Sequence, residues 1–300
     1  MPPLAAPMGY PGQLPPQYYA DPNDPLVSKD FSGWWGRSFR LAKAAWRPVA
    51  LVQLIPSVPL LALGLFFALF DFNRLVDSRF VPNGDGTYTF NESTPFDWSD
   101  FRTLLLIFIP IVLVLALVGV VTTLATYRIL VQVATGRPVS IGAALKDGLR
   151  RTPALIGWGL LGSLLILVGL IACILPGIYV GIVMSILPAV VLLERGNAIS
   201  RVFQLFHADI GAALGRIIIT ALMGVAISFA SSIVTGIVDP SAWNTAHGGA
   251  STVGGIVSAV LSTGFSIAST VLLTPMLLTA YADMRARHEP FSTAYLVAPD

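Results

Sequence analysis

Six stretches of this chain are each long and apolar enough to cross a lipid bilayer. The hydrocarbon core is about 30 Å thick and a helix rises about 1.5 Å per residue, so one span needs about 20 apolar residues. The first run is Val49 to Phe70, opened by Arg47-Pro48 and closed by Asp71; the second is Leu104 to Thr126, set between Arg102 and Arg128. The stretch from Ala154 to Leu193 is twice what one span needs and contains CILPGIYV. Proline removes a helix donor and glycine supplies a turn. The sequence therefore predicts a break at Pro176-Gly177 and two helices, 154–175 and 178–193, joined by a tight hairpin. The last two runs cover about 217–238 and 253–281. The expected fold is all-α, a polytopic membrane protein of six transmembrane helices. Composition agrees, because only 11% of the 300 residues are charged, under half of the ~25% usual in soluble domains.

Lysine and arginine placement predicts the orientation. Lys29, Arg37, Arg40, Lys43 and Arg47 precede the first span; Arg128, Arg137, Lys146, Arg150 and Arg151 separate the second from the third. Arg195, Arg201 and Arg216 separate the fourth from the fifth, and Arg285 and Arg287 follow the sixth. The opposite side holds only Arg74, Arg79 and Arg102. Both termini are thus expected in the cytoplasm of a cell bounded by this plasma membrane.

Each odd-numbered span is preceded by an amphipathic segment. In FSGWWGRSFRLAKAAWR, Trp35, Phe39 and Trp46 form an aromatic stripe beside the basic residues Arg37, Arg40, Lys43 and Arg47. Such a helix suits the headgroup layer, with its cations toward anionic lipid headgroups. SIGAALKDGLRR, with Ser140 as its cap, and AISRVFQLFHADI are the other two. RSFRLAKA (37–44) and RVFQLFHA (201–208) share four of eight positions. The chain can be read as three repeats of surface helix and helical hairpin (29–126, 137–193 and 196–281), or as three alike juxtamembrane helices. Residues 1–28, with Pro2, Pro3, Pro7, Pro11, Pro15, Pro16, Pro22 and Pro25, are expected to be a disordered cytoplasmic tail with no cleavable signal peptide. Residues 29–291 form the membrane domain and 292–300 a C-terminal tail. In the loop between the first two spans, RFVPNGDGTYTF predicts a β-hairpin turning at Asn83-Gly84-Asp85-Gly86.

Motifs of catalysis are missing. Transporters and proton relays place ionisable groups inside their spans, and here only Arg216 approaches one, at its inner end, where it can snorkel. Ser258, Ser262, Ser266 and Ser269 recur on one face of the sixth span, a pattern that suits helix packing or a polar path. His207, His247 and His288 are assigned to different sides, the lone Cys173 lies in an apolar run, and no P-loop, GxSxG or HExxH is present. No cofactor or metal is expected, and a net charge of +2 is too small to make nucleic acid the main partner.

Two blocks carry a resemblance to a known family. One is LPGIY, LPAVVLLE and AISRVFQLF, including Pro176 and Gly177; the other is AYADMRARHE, with Tyr281, Asp283, Arg285, Arg287 and Glu289. Over roughly residues 31–291 the chain resembles the membrane domain that accompanies some bacterial glycerophosphodiester phosphodiesterases and also occurs alone. Ala282 and Pro290 depart from its usual aromatic and glycine. The resemblance implies a membrane module without the catalytic barrel, which needs about 250 residues of its own. The expected function is a non-catalytic scaffold or accessory subunit in envelope or lipid metabolism, with a membrane or cytoplasmic protein partner; the alternative is a transporter or lipid-translocating protein.

Cysteine labelling in a Cys173→Ser background tests the topology. A cysteine at Phe90 should react with an impermeant reagent from outside, and cysteines at Leu145 and Pro290 only after permeabilisation. External labelling at 145 would contradict six spans.

Overall fold

The computed structural model describes residues 23–69, 80–82, 87–90, 98–239 and 252–296. The first helix, α1, runs from Phe31 to Leu69, and strands β1 (Phe80–Pro82) and β2 (Tyr88–Phe90) follow it. Then come α2 (Trp98–Ala134), α3 (Ile141–Ala172), α4 (Ile174–Met184), α5 (Leu187–Leu193), α6 (Ala198–Ala208), α7 (Ile210–Val238) and α8 (Thr252–His288). A short 3-10 turn covers Thr293–Leu296. Counting α4 and α5 as one, six of these helices are long and apolar enough to cross a membrane. The chain is therefore an all-α, multi-pass membrane protein. β1 and β2 pair antiparallel, with Phe80 opposite Phe90 and Pro82 opposite Tyr88, as the hairpin motif predicts. The turn itself, 83–86, lies outside the described residues, as do the tail 1–22, most of the surrounding loop and His247.

α1 lies between α8 and α2; α3 packs on α2, α4 on α3 and α7 on α8, while α6 bridges α8, α5, α4 and α7. Six passes bring both described chain ends to the same end of the bundle, and Asp24 bonds directly to Thr293 there. That end contains the core: Trp34, Leu124, Leu130, Ile186, Leu205, Phe206, Leu278 and Tyr281 are fully buried. The other half exposes Leu106, Leu113, Leu160, Ile171, Val225 and Phe229. A bundle that leaves such residues uncovered needs a hydrocarbon solvent around it.

Polar pins hold the helices in register. Trp34 donates from Nε1 to the Met276 carbonyl at 3.3 Å, and the hydroxyls of Ser38 and Thr279 meet at 2.7 Å, joining α1 to α8. Gln53 donates to the Thr126 hydroxyl at 2.9 Å, joining α1 to α2. Met276 and Thr279 follow Pro275, which removes a backbone donor from α8.

Several boundaries differ from expectation. The first two amphipathic segments are not separate surface helices. They are the opening turns of α1 and α3, which run unbroken into the spans. Pro48 and Pro153 do not stop these helices. Only the third segment is a helix of its own, α6, capped by Asn197. Ser140 does cap α3, accepting from the Ala143 amide. In the aligned segments, Ser38, Leu41 and Ala42 are buried, and so are their counterparts Val202, Leu205 and Phe206. Parts of both expected tails pack on the bundle. Leu26, Val27 and Ser28 are buried, as is Thr293, because their backbone and apolar groups find partners there.

The hairpin between the third and fourth spans breaks at Cys173, three residues before the predicted site. Cys173 is extended (φ −171°, ψ 148°) and α4 starts immediately after it. Pro176 then falls in the first turn of α4, where its missing amide costs nothing. Gly177 instead permits close approach. A Cβ there would lie 2.4 Å from Leu170 Cγ, and one on Gly169 would lie 2.9 Å from the Gly177 backbone. Gly177→Ala should therefore lower the melting temperature of the detergent-solubilised protein, since overpacking costs about 1–3 kcal/mol. Gly181→Ala, in the same helix with open space around it, should leave it unchanged.

Candidate functional site at the charged end

The residues of AYADMRARHE lie on the last turns of α8, where successive side chains fan around the helix into three separate clusters. Tyr281, Arg285 and Glu289 are spaced by four and share a face. The Tyr281 hydroxyl donates to Glu194 Oε1 at 2.7 Å and receives from Arg285 Nη1 at 3.0 Å. Arg285 Nε donates to Glu289 at 2.6 Å. Arg201, from α6, donates to Glu289 at 2.7 Å and also to Glu194. Five side chains thus close a ring that ties α8 to α6 and to the end of α5. Arg285 also lies over the Phe291 ring, 4.4 Å from its centroid. Partial burial opposes ionisation of Glu289, but the hydrogen bonds from Arg285 and Arg201 outweigh it and hold its pKa below the ordinary value. Burial likewise acts against the Arg201 cation, yet its bonds to Glu289 and Glu194 raise its pKa.

Asp283 points the other way, into the protein. It is 1% exposed, and its Oδ2 lies 2.9 Å from Nη2 of Arg216, itself 3% exposed. Its Oδ1 accepts from the Ser28 amide. The ion pair is close but poorly aligned for a hydrogen bond, leaving Arg216 Nε and Asp283 Oδ2 incompletely satisfied. Arg216 therefore does not snorkel. The Asp283 carboxylate lies within reach instead, and removing it would leave an uncompensated buried charge. The third cluster is exposed to water on one side: Arg287 pairs with Asp209, the cap of α7, and donates to the Lys29 carbonyl at 3.0 Å.

Asp24 completes the assembly from a region expected to be unstructured. Its carboxylate accepts from the amides of Leu26 (2.9 Å), Val27 (2.8 Å) and Thr293 (2.7 Å) and from the Thr293 hydroxyl. Its carbonyl accepts from Arg37 Nε at 2.7 Å. Arg37 is consequently buried and is not a membrane-surface cation. Arg40, Lys43 and Arg47 do remain exposed, as do Trp35 and Trp46, with Phe39 half-buried. Trp35 packs on Phe39 with centroids 4.8 Å apart, and Arg47 lies 5.2 Å from the Trp46 ring.

The structure thus gathers Tyr281, Asp283, Arg285, Arg287 and Glu289 at one end of the bundle and leaves Pro176 and Gly177 at the other. Glu194 and Arg201, which close the ring, both stand in the first of the two sequence blocks already singled out. Asp24 carried no signal, since nothing in a proline-rich stretch distinguishes a docked aspartate. Beside the ring lies a cleft of about 680 Å3 between α3, α5 and α6, lined by Arg151, Arg195 and Arg201 and by Trp158 and Val190. Among the described residues, no three His, Cys, Asp or Glu side chains gather as a metal ion requires. No family model, curated protein or solved structure matches the chain.

Breaking a buried ion pair by removing one partner costs about 3–5 kcal/mol, whereas replacing both with apolar groups is near neutral. Arg216→Met and Asp283→Leu should each strongly lower thermal stability in detergent, and the double variant should recover most of the loss. Additive losses would show that the pair does not act as a unit. The depressed pKa of Glu289 gives a second outcome. Its stabilising effect is complete above the ordinary value of 4.5 and disappears as pH falls through the lower folded value. Acidification below pH 4.5 should therefore destabilise the wild type more than Glu289→Gln, measured by melting temperature against pH.

Proposed function

We propose that this chain is a non-catalytic membrane scaffold or accessory subunit of envelope or lipid metabolism, with its charged end in the cytoplasm. The observation that carries this reading is the ring of Tyr281, Glu194, Arg201, Glu289 and Arg285, whose polar atoms bond one another. A general acid or base must face the atom it acts on, and here the carboxylates face guanidinium groups instead. The ring and the buried Arg216–Asp283 pair favour a rigid platform. The exposed Arg40, Lys43, Arg47, Trp35 and Trp46 on the outside of α1 suit contact with anionic headgroups or with a protein partner. The resemblance to the phosphodiesterase-associated membrane domain points the same way. Orientation rests on the arginine and lysine bias. Crosslinking in native membranes should trap one partner protein at fixed stoichiometry, and reversing the charges of Arg40 and Lys43 should reduce the yield. A chain that crosslinks to nothing and carries solute alone would overturn the scaffold reading.

One observation favours a transporter as the second reading. Ser57, Gly64, Ser262, Thr263 and Ser266 line a cavity of about 230 Å3 between α1 and α8. Ser258 does not join it and instead donates to the Thr235 carbonyl on α7 at 3.4 Å. On this reading, purified protein in vesicles carries a polar solute or lipid across the bilayer. Alanine at Ser57, Ser262 and Ser266 then abolishes the flux without lowering the melting temperature.

A further inference from the structure

The cleft between α3, α5 and α6 has two unlike ends. One carries Arg151, Arg195, Arg201, Asn197, Ser200 and Gln204, with one acid, Glu194. Arg201 and Glu194 already bond each other. Arg151 and Arg195 differ: among the described residues neither has an ion-pair partner. The cleft therefore carries an excess of two positive charges with no anion among the described residues to meet them. Gly196 lies between Arg195 and the α6 cap with φ +121°, a conformation favouring glycine, and has no atom within 4 Å of where a Cβ would stand. The backbone here borders open space, at the amide end of an 11-residue helix whose dipole also favours an anion.

The other end is apolar. Ala154 and Trp158 follow Arg151 on α3, one and two turns further along, and face Val190 and Val191 of α5. Beyond Trp158 on the same face, α3 leaves Leu161 and Leu165 exposed, so the apolar wall continues onto the surface that contacts lipid. The spacing of these layers resembles a phospholipid: an anion, then about 10 Å further an acyl chain along the helix. Tryptophan lies at the boundary, where its amphipathic ring is favoured. At about 680 Å3 the cleft is of the size that holds small ligands.

We propose that this cleft binds a phosphate-bearing headgroup, with Arg151 and Arg195 on the phosphate and the Trp158 wall beside the glycerol and upper acyl chain. The site goes beyond the scaffold reading and is independent of it, since a scaffold or a transporter can carry a bound lipid. A soluble phosphate ester shares the anionic chemistry but not the apolar end.

The full chain, purified in neutral detergent, is titrated with phosphatidic acid, phosphatidylglycerol, phosphatidylcholine and glycerol 3-phosphate, and binding is read by native mass spectrometry. Wild type should bind the two anionic lipids at least tenfold more tightly than phosphatidylcholine, and millimolar glycerol 3-phosphate should not displace them. Arg151→Gln with Arg195→Gln should weaken anionic-lipid binding at least tenfold. Lys146→Gln with Arg150→Gln, an equal charge change on exposed neighbours that do not line the cleft, should not. Equal melting temperatures show that the variants are folded; if the double variant is destabilised, Trp158→Ala is used in its place, with loss of lipid binding expected. Binding and displacement by glycerol 3-phosphate, sensitive to the same arginines, would keep the phosphate site and make its ligand soluble. Lipid binding that ignores Arg151 and Arg195, or no binding of either class, would overturn the proposal.

Discussion

Asp283 is the residue on which the charged end depends. It places one oxygen on the amide of Ser28 and the other beside Arg216, so a single buried carboxylate holds the start of the chain, the fifth span and the sixth span together. Taking two charges out of water costs several kcal/mol per ion. The cost is offset only if the ions stay in fixed register. Helices joined this way cannot slide or rotate without leaving a charge unpaired. Asp24 adds a second tie between the two ends of the chain, and the ring around Glu194 and Glu289 adds a third, nearer the surface.

The two halves of the bundle are stabilised differently. At the charged end, buried side chains and hydrogen bonds between distant segments hold the helices. In the opposite half, large aliphatic residues face outward, and the described contacts rely on small residues and hydroxyls. The Gly169–Gly177 approach and the serines of α8 are examples. This division follows from the solvent. Lipid tails are as apolar as leucine, so burying leucine between helices gains little in the hydrocarbon and close packing decides instead.

Much of the fold was legible because transmembrane helices are constrained by length and polarity alone. The six spans, the Ser140 cap and the hairpin flanking Asn83–Gly86 all rest on short-range rules. Helix ends were less legible. Arg47-Pro48 looked like a boundary, yet α1 continues through it, because the hydrophobic edge of a span does not stop a helix. The break at Cys173 rather than Pro176 has a similar cause, since proline is tolerated in a first turn. The site was half visible. Tyr281, Asp283, Arg285, Arg287 and Glu289 stood out together, but their partners Asp209, Arg216 and Glu194 are remote in sequence and are joined only by packing. Arg37 misled for the same reason: its spacing matched an exposed basic stripe, while its nearest acceptor was a carbonyl 13 residues upstream.

The bond between Asp24 and Thr293 spans 269 positions of sequence. During synthesis the amino-terminal end emerges first, at about 5–20 residues per second, so Asp24, Arg37 and the inner face of α1 exist for some time before α8 is made. Until then Trp34 and Ser38 lack the helix they are built to touch. The partners of Arg216 and Ser28 are missing as well. Closure of the charged end is thus the last step of assembly, and it can occur only when the whole membrane domain has been inserted. A chain that stalls before α8 keeps an unpaired arginine near the start of α7 and an uncovered tryptophan on α1, a form chemically distinct from the finished protein.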